Sequence, residues 1–292
     1  MSPDSNPDAH LATVRPAGPD EGLTRLGRRP ALGDYLREAW RRRDYALHVP
    51  LNEIRVQNRN TMMGSAWLVL TPLMSVGVYF VAFGLILRAD RGVDSYLSFL
   101  TVGVFTFFLT QRCVGHGAKS IVSNIGLIRA IQFPRILLPV SDVIGQAISY
   151  LPVMAVMLVV AVADGANPRW TWLALPGIVA LQLMFSLGVA LVAARLNYAV
   201  RDLENTLPFM FRLLFYLSGV LYSVERLVAS PLLRDLFALN PMYSFVTVTR
   251  WAVLGVNLPH WTLLSIGVWA LVMPVFGLAV FRLAENDYGR AS

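Results

Sequence analysis

Residues 112–138, RCVGHGAKSIVSNIGLIRAIQFPRILL, hold four cations (Arg112, Lys119, Arg129 and Arg135) and no acid, and they lie between two strongly apolar runs. A basic stretch flanked in this way predicts a loop at a membrane surface, on the side where positive charge collects. In its middle, Ser120 to Gln132, the residues Ile121, Ile125, Ile128 and Ile131 recur at helical spacing, and Pro134 ends the pattern. The loop is therefore expected to carry a short amphipathic helix. Pro139 and Asp142 then suit the first turns of the next helix, where a missing N–H costs nothing and a carboxylate meets the helix dipole.

The chain on either side is far more apolar than a soluble domain: 55% of its 292 residues are hydrophobic and 15% charged, with a mean hydropathy of +0.54. Its apolar residues fall into runs of about 17 to 25, the length that crosses roughly 30 Å of hydrocarbon. Lipid leaves no free backbone group satisfied, and no alternating barrel pattern occurs, so the runs predict helices. The fold class expected is an all-α integral membrane protein. Six transmembrane helices are placed at 66–87, 96–112, 139–163, 172–194, 207–222 and 261–283. Trp67, Trp170 and Trp172 sit where interfacial aromatic anchors belong.

Residues 1–30 are rich in Pro, Gly and charge without helical period and predict a disordered tail; 285–292 form a second polar tail. Residues 31–65 hold an interfacial amphipathic helix and an approach to the first span. In that helix Tyr35, Leu36 and Trp40 share an apolar face, and Arg41 lies on the polar face toward anionic lipid. Between the fifth and sixth spans, Ser230-Pro231 and Asn240-Pro241 each read as an N-cap followed by proline, predicting two short outer helices. With both termini cytoplasmic, 19 of the 25 Lys and Arg residues fall inside and six outside. That asymmetry sets the orientation, and the net charge of +7 belongs to membrane loops rather than to a nucleic-acid surface.

Several chemistries are excluded or demoted. Gly115 to Ser120, GHGAKS, resembles a phosphate-binding loop only superficially, because Ala118 stands where glycine must precede the lysine. No other nucleotide loop occurs, so any ATP must be handled by another subunit. His10, His48, His116 and His260 share no helix face, and the single Cys113 leaves no cysteine cluster, so no metal site is expected. No span contains a deep acid, which argues against a proton-coupled carrier and an embedded hydrolase or glycosyltransferase. Arg212, the one cation lying clearly within a span rather than at its end, either snorkels to the headgroups or faces a translocation path. The aromatics Tyr79, Phe83, Phe105, Phe108, Phe215, Tyr216 and Tyr222 pack against helices and lipid or, in part, offer stacking faces to sugar rings.

Four motifs in order carry a likeness. An Arg-rich helix leads to NEIRVQNRNTMMGSAWLVLTPLMS, with Met63-Gly64, Trp67 and Pro72. The basic loop follows, with Asn124, Leu127, Ile128, Arg129 and then Phe133-Pro134-Arg135. Next come Arg201-Asp202 with Ser218, Val220 and Tyr222, and finally Asn240-Pro241 with Arg250. Over about residues 35 to 285 the chain resembles the permeases of type-2 ABC exporters for polysaccharides and polyol phosphates. It carries Gly219 where that family usually has proline, and Val56 and Gln57 in place of an aromatic-basic pair.

The resemblance implies a non-catalytic permease in a bacterial plasma membrane, working as a homodimer with two nucleotide-binding ATPase subunits that hold ATP and Mg. The cargo implied is a lipid-linked cell-wall polysaccharide, a galactan or O-antigen-like glycan, with a drug or small lipid as the alternative. Asn124, Leu127, Arg129, Phe133, Pro134 and Arg135 would couple to the ATPase. Asn240, Pro241 and Arg250 would form an outer gate. Channel candidates would be Tyr79, Phe83, Phe105, Phe108, Arg212, Phe215, Tyr216 and Tyr222.

Overall fold

The computed structural model describes residues 32–44, 46, 48–50, 63–86, 95–130, 133–227 and 230–283. Both tails and most of the approach segment fall outside the described residues. Among the described residues the regular structure is entirely helical. The helices are α1 (Leu32–Arg41), α2 (Trp67–Tyr79, continued by a π-helical stretch Phe80–Ile86), α3 (Tyr96–Ser123), α4 (Ile125–Ala130), α5 (Leu137–Ala163), α6 (Leu175–Ala199, preceded by a 3-10 turn Trp170–Ala174), α7 (Leu203–Leu217), α8 (Val224–Leu227), α9 (Pro231–Ala238), α10 (Pro241–Leu254) and α11 (Thr262–Leu283).

Five of these are long and apolar enough to cross a membrane: Trp67–Ile86, Tyr96–Ser123, Leu137–Ala163, Trp170–Ala199 and Thr262–Leu283. The remaining apolar run folds as α7, which has 15 residues. At about 1.5 Å per residue that helix reaches roughly 22 Å, short of the hydrocarbon thickness. It stops because Gly219 adopts φ +60°, a left-handed turn that glycine enters without a Cβ penalty. Proline, with φ fixed near −65°, has no access to it, so the glycine at this position is a requirement of the local backbone.

The bundle is arranged around α3. Within its most apolar window 78% of residues are buried inside the protein, against 17% for the first and last spans. Helices α2, α5, α6, α7, α10 and α11 surround it directly or through one neighbour. Small residues let the backbones close up: a Cβ on Gly117 would lie 2.6 Å from that of Ala190, and at the α6–α11 crossing Gly188 and Gly277 face backbone with no room for a side chain. Polar bolts then fix the register of α3 on α6. The Gln182 amide Nε2 donates to the Thr106 carbonyl at 2.7 Å and to Thr110 Oγ1 at 2.9 Å, while Asn197 Nδ2 donates to the Ala118 carbonyl at 3.0 Å. In an apolar interior each such group costs free energy unless paired.

Helices α9 and α10 begin where the sequence placed them. Asn240 caps α10 by accepting the Met242 amide at 3.0 Å. Helix α10 is not a peripheral cover, however, because almost every residue from Met242 to Val253 is buried, packed against α3 and α11. The amphipathic helix of the basic loop also differs from the reading of Ser120 to Gln132 as one unit: α3 continues beyond Arg112 to Ser123 and breaks at Asn124 before α4 begins.

Candidate functional site

Two clusters of candidate residues lie at opposite ends of α3. The first is the basic loop. Asn124 is its pivot: the side-chain Nδ2 donates back to the Ser120 carbonyl at 2.9 Å, and its own carbonyl accepts the Ile128 amide at 3.0 Å, so one residue closes α3 and opens α4. Ile128 points inward and Leu127 and Phe133 pack beside it, joined by Ile121, Ile136, Leu138, Leu191, Ala194 and Phe281 into a small core separate from the main one. Arg129 is exposed and Pro134 is buried. The Pro134 carbonyl accepts the Leu137 amide at 3.1 Å, which starts α5. Lys119 pairs with Glu204, fastening the end of α3 to the first turn of α7.

Helix α1 lies over this loop. Tyr35 is buried in the same small core, its hydroxyl accepts the Ile136 amide at 3.2 Å, and the Arg282 guanidinium sits 5.0 Å from its ring centre. Trp40 on the other face is 69% exposed, and Arg41 and Arg42 both pair with Glu38. Leu36 lies on the same helix, and its side chain is outside the described residues. Gly115 to Ser120 is continuous helix, so its amides serve the helix rather than forming a loop.

The second cluster is centred on Arg250 of α10, which is 4% exposed. Its Nε donates to the Phe99 carbonyl at 3.1 Å, Nη1 to Gly219 at 2.9 Å and Nη2 to Val220 at 2.6 Å, and the guanidinium lies 3.4 Å from the centre of the Phe99 ring. These three carbonyls end the turn after α7 and begin α3, so one planar cation ties three helices together. Burial pushes its pKa down to about 9, which still leaves it protonated at neutral pH. Gly103 makes room for it: a Cβ there would lie 2.5 Å from Nη2.

Around Arg250 this end is stitched by further hydrogen bonds. Asp164, just past α5, accepts from the Ser98 amide at 2.9 Å and the Ser98 hydroxyl at 2.7 Å, capping α3 from another helix. Thr171 Oγ1 and Trp172 Nε1 donate to the carbonyls of Ala252 and Val253, which close α10. Asn240 Nδ2 donates to the Leu217 carbonyl and the Ser218 hydroxyl. The sequence motifs pointed to Asn240, Pro241 and Arg250; Phe99, Gly103 and Asp164 carried no signal beyond their types, except that a glycine amid bulky apolar neighbours marks a close approach.

The channel candidates separate into two groups. Phe105 and Phe215 are buried within the chain. Phe215 is the hub of an aromatic cluster, with Tyr79 and Phe107 each at 5.1 Å between ring centres, Tyr216 at 5.8 Å and Phe108 at 6.4 Å, joining α2, α3 and α7. Phe83 is half-buried, and the Tyr222 hydroxyl donates to the Tyr216 carbonyl at 2.9 Å. Tyr216 and Arg212 lie on the open face of α7 beside Phe209, Met210 and Leu213, with the Arg212 guanidinium 5.8 Å from the Phe209 ring centre.

A bundle of apolar spanning helices with a basic turn at one end and a sealed arginine clamp at the other defines a multi-pass membrane protein. The chain belongs to the ABC-2 type transporter family, whose profile matches residues 51–254. Members of that family are transport proteins rather than catalysts. The chain is 27% identical over 212 residues to the O-antigen export system permease protein RfbA of Myxococcus xanthus, covering 73% of this chain and 81% of that one. It is 25% identical over 244 residues to the protein of the same name from Klebsiella pneumoniae, covering 82% and 91%. To the polysialic acid transport protein KpsM of Escherichia coli it is 25% identical over 250 residues, covering 81% and 92%.

Proposed function

We propose that the chain is the membrane-spanning permease subunit of an ATP-driven exporter that moves a lipid-linked polysaccharide across the plasma membrane. The observation that carries this reading is that relatives whose names specify O-antigen export or polysialic acid transport align over 73% to 82% of the chain. A galactan or O-antigen-like glycan is the cargo that fits best. Two copies of the permease stand on two ATPase subunits, and those subunits bind ATP and Mg. The termini and the basic turn face the cytoplasm, in line with the 19-to-6 division of Lys and Arg.

In this arrangement α4 docks on the ATPase through its exposed Arg129, and its buried Ile128 transmits the push to α3, α5 and α1. Helix α7 with the turn after it is the sixth crossing of the membrane, and its open face with Arg212 and Tyr216 meets the second copy or the cargo. Tyr35 and Trp40 hold α1 between the small core and the headgroup layer. The residues Asn240, Pro241 and Arg250 close the outer end.

The test is depletion of the chain in its own host. Build-up of a lipid-linked glycan on the inner leaflet, with loss of the surface polymer, is the result expected. Unchanged glycan on both leaflets would transfer the reading to a drug or small-lipid exporter, and transport by the purified chain with no ATPase would point to a secondary carrier.

A further inference from the structure

We propose that the cavity beside Arg250 is a binding site for sugar units of the cargo, holding the glycan where it leaves the protein. This rests on the export reading above and names a site for it. The cavity has a volume of about 490 Å³, enclosed by the turn after α5, the turn after α7, and the C-terminal end of α10. It therefore opens at the end of the bundle opposite the basic turn, and its volume lies within the roughly 300–1,000 Å³ typical of small-ligand sites.

Its chemistry selects the ligand. Among the described residues the side chains of Asn167, Arg169, Glu225 and Asn257 make no hydrogen bond or ion pair, although all four line the cavity. Two amides, a carboxylate and a guanidinium together offer donors and acceptors in the mixture that hydroxyl groups require. Tyr222 and Tyr243 add aromatic wall, against which the C–H face of a sugar ring packs.

The charge balance argues against an anion. Arg250 stands in the same wall, but its guanidinium is already committed to three carbonyls, and the remaining lining charges are one cation, Arg169, and one carboxylate, Glu225. A phosphate would find one cation and one opposing carboxylate, whereas a neutral polyol finds partners on every side. The Arg169 guanidinium lies against Gly255, at φ +71° past the end of α10, where a side chain would leave it no space. Binding here is weak, since a site on a transport path must release each unit as readily as it takes it.

The experiment uses the full chain with its ATPase in the native membrane. A photoreactive p-benzoylphenylalanine replaces Asn257, an exposed cavity residue, or Val275, which is 71% exposed on the outer face of α11. After irradiation the protein is denatured and purified, and adducts are detected by periodate–hydrazide staining, which reads vicinal diols whatever the sugars. A glycan-positive mass ladder several-fold stronger at position 257 than at 275, and reduced several-fold by filling the cavity with Asn167→Trp, supports the site. Equal labelling at both positions, a glycan-negative protein adduct at 257, or no adduct while depletion still builds up inner-leaflet glycan overturns it and leaves the export reading intact. No adduct together with no build-up on depletion removes both.

Discussion

The two ends of α3 handle positive charge in opposite ways. At the basic turn, Lys119, Arg129 and their neighbours remain at the surface, and the Lys119–Glu204 pair is about half exposed on each partner. At the far end Arg250 is withdrawn from solvent and held by three backbone carbonyls. Exposed pairs contribute on the order of 1 kcal/mol or less. A buried guanidinium that loses its place leaves several acceptors unsatisfied at about 1–3 kcal/mol each. One end is thus cheap to rearrange and the other is not. The lesson is that a short piece of backbone, the turn Ser218–Val220, is positioned by a side chain from a helix far along the chain.

The largest effect should come from Arg250→Ala, which removes all three donors and leaves a void. We expect a loss on the order of 3–5 kcal/mol, read as a collapse of the thermal unfolding midpoint in detergent. Arg250→Lys should recover little of it, because an ammonium on a single stem lacks the planar fork that reaches three carbonyls. A near-native midpoint in either variant would show that the two ends do not differ as described.

Gly219→Pro follows. It forces φ away from +60° and should cost at least about 1–3 kcal/mol. Gly219→Ala should cost at least about 1–2 kcal/mol, the penalty of a left-handed Cβ, and here that Cβ would also lie 2.8 Å from a methyl of buried Val224. Finding proline milder than alanine would mean that the turn is free to adopt a second shape.

Gln182→Leu breaks the bolt between α3 and α6 and should lower stability by about 0.6 kcal/mol, the average for hydrogen bonds between membrane helices, and by no more than about 1.7 kcal/mol. Smallest on this scale is Arg129→Glu in the basic turn. Its midpoint should shift by under about 0.5 kcal/mol, as at other surface positions, while transport-coupled ATP hydrolysis falls. A variant that unfolds, or that couples normally, would dissolve the contrast between an end made for contact and an end made for closure.

Much of this fold was legible in the sequence because apolar run length follows from membrane thickness. The turn at Asn240-Pro241 was legible too, since capping is local chemistry. The continuation of α3 past Arg112 was not, because Arg112, His116, Lys119 and two glycines read as a polar loop. Gly117 instead supplies a close contact with Ala190, and Ile121 anchors the helix in the second core. The end of α7 was hidden for the converse reason: Ser218 to Tyr222 are apolar enough to extend a span, and only the positive φ of Gly219 ends it. Arg250 could be noted but not given its task, as its three partners lie 30 to 151 residues away in sequence. Of the aromatic candidates, Tyr222 falls in the turn after α7 rather than within a span, and burial of Phe105 and Phe215 depends on neighbours that no local pattern encodes.

The hydroxyl of Tyr35 gives the molecule a closed mechanical circuit. It holds the amide of Ile136, while the ring beneath it meets Arg282, so the first described helix, the basic turn and the end of the last helix share one joint. A displacement of that turn bears simultaneously on the first and last described helices. Conversely, a movement of α1 reaches the turn through Tyr35 without passing through the core of the bundle.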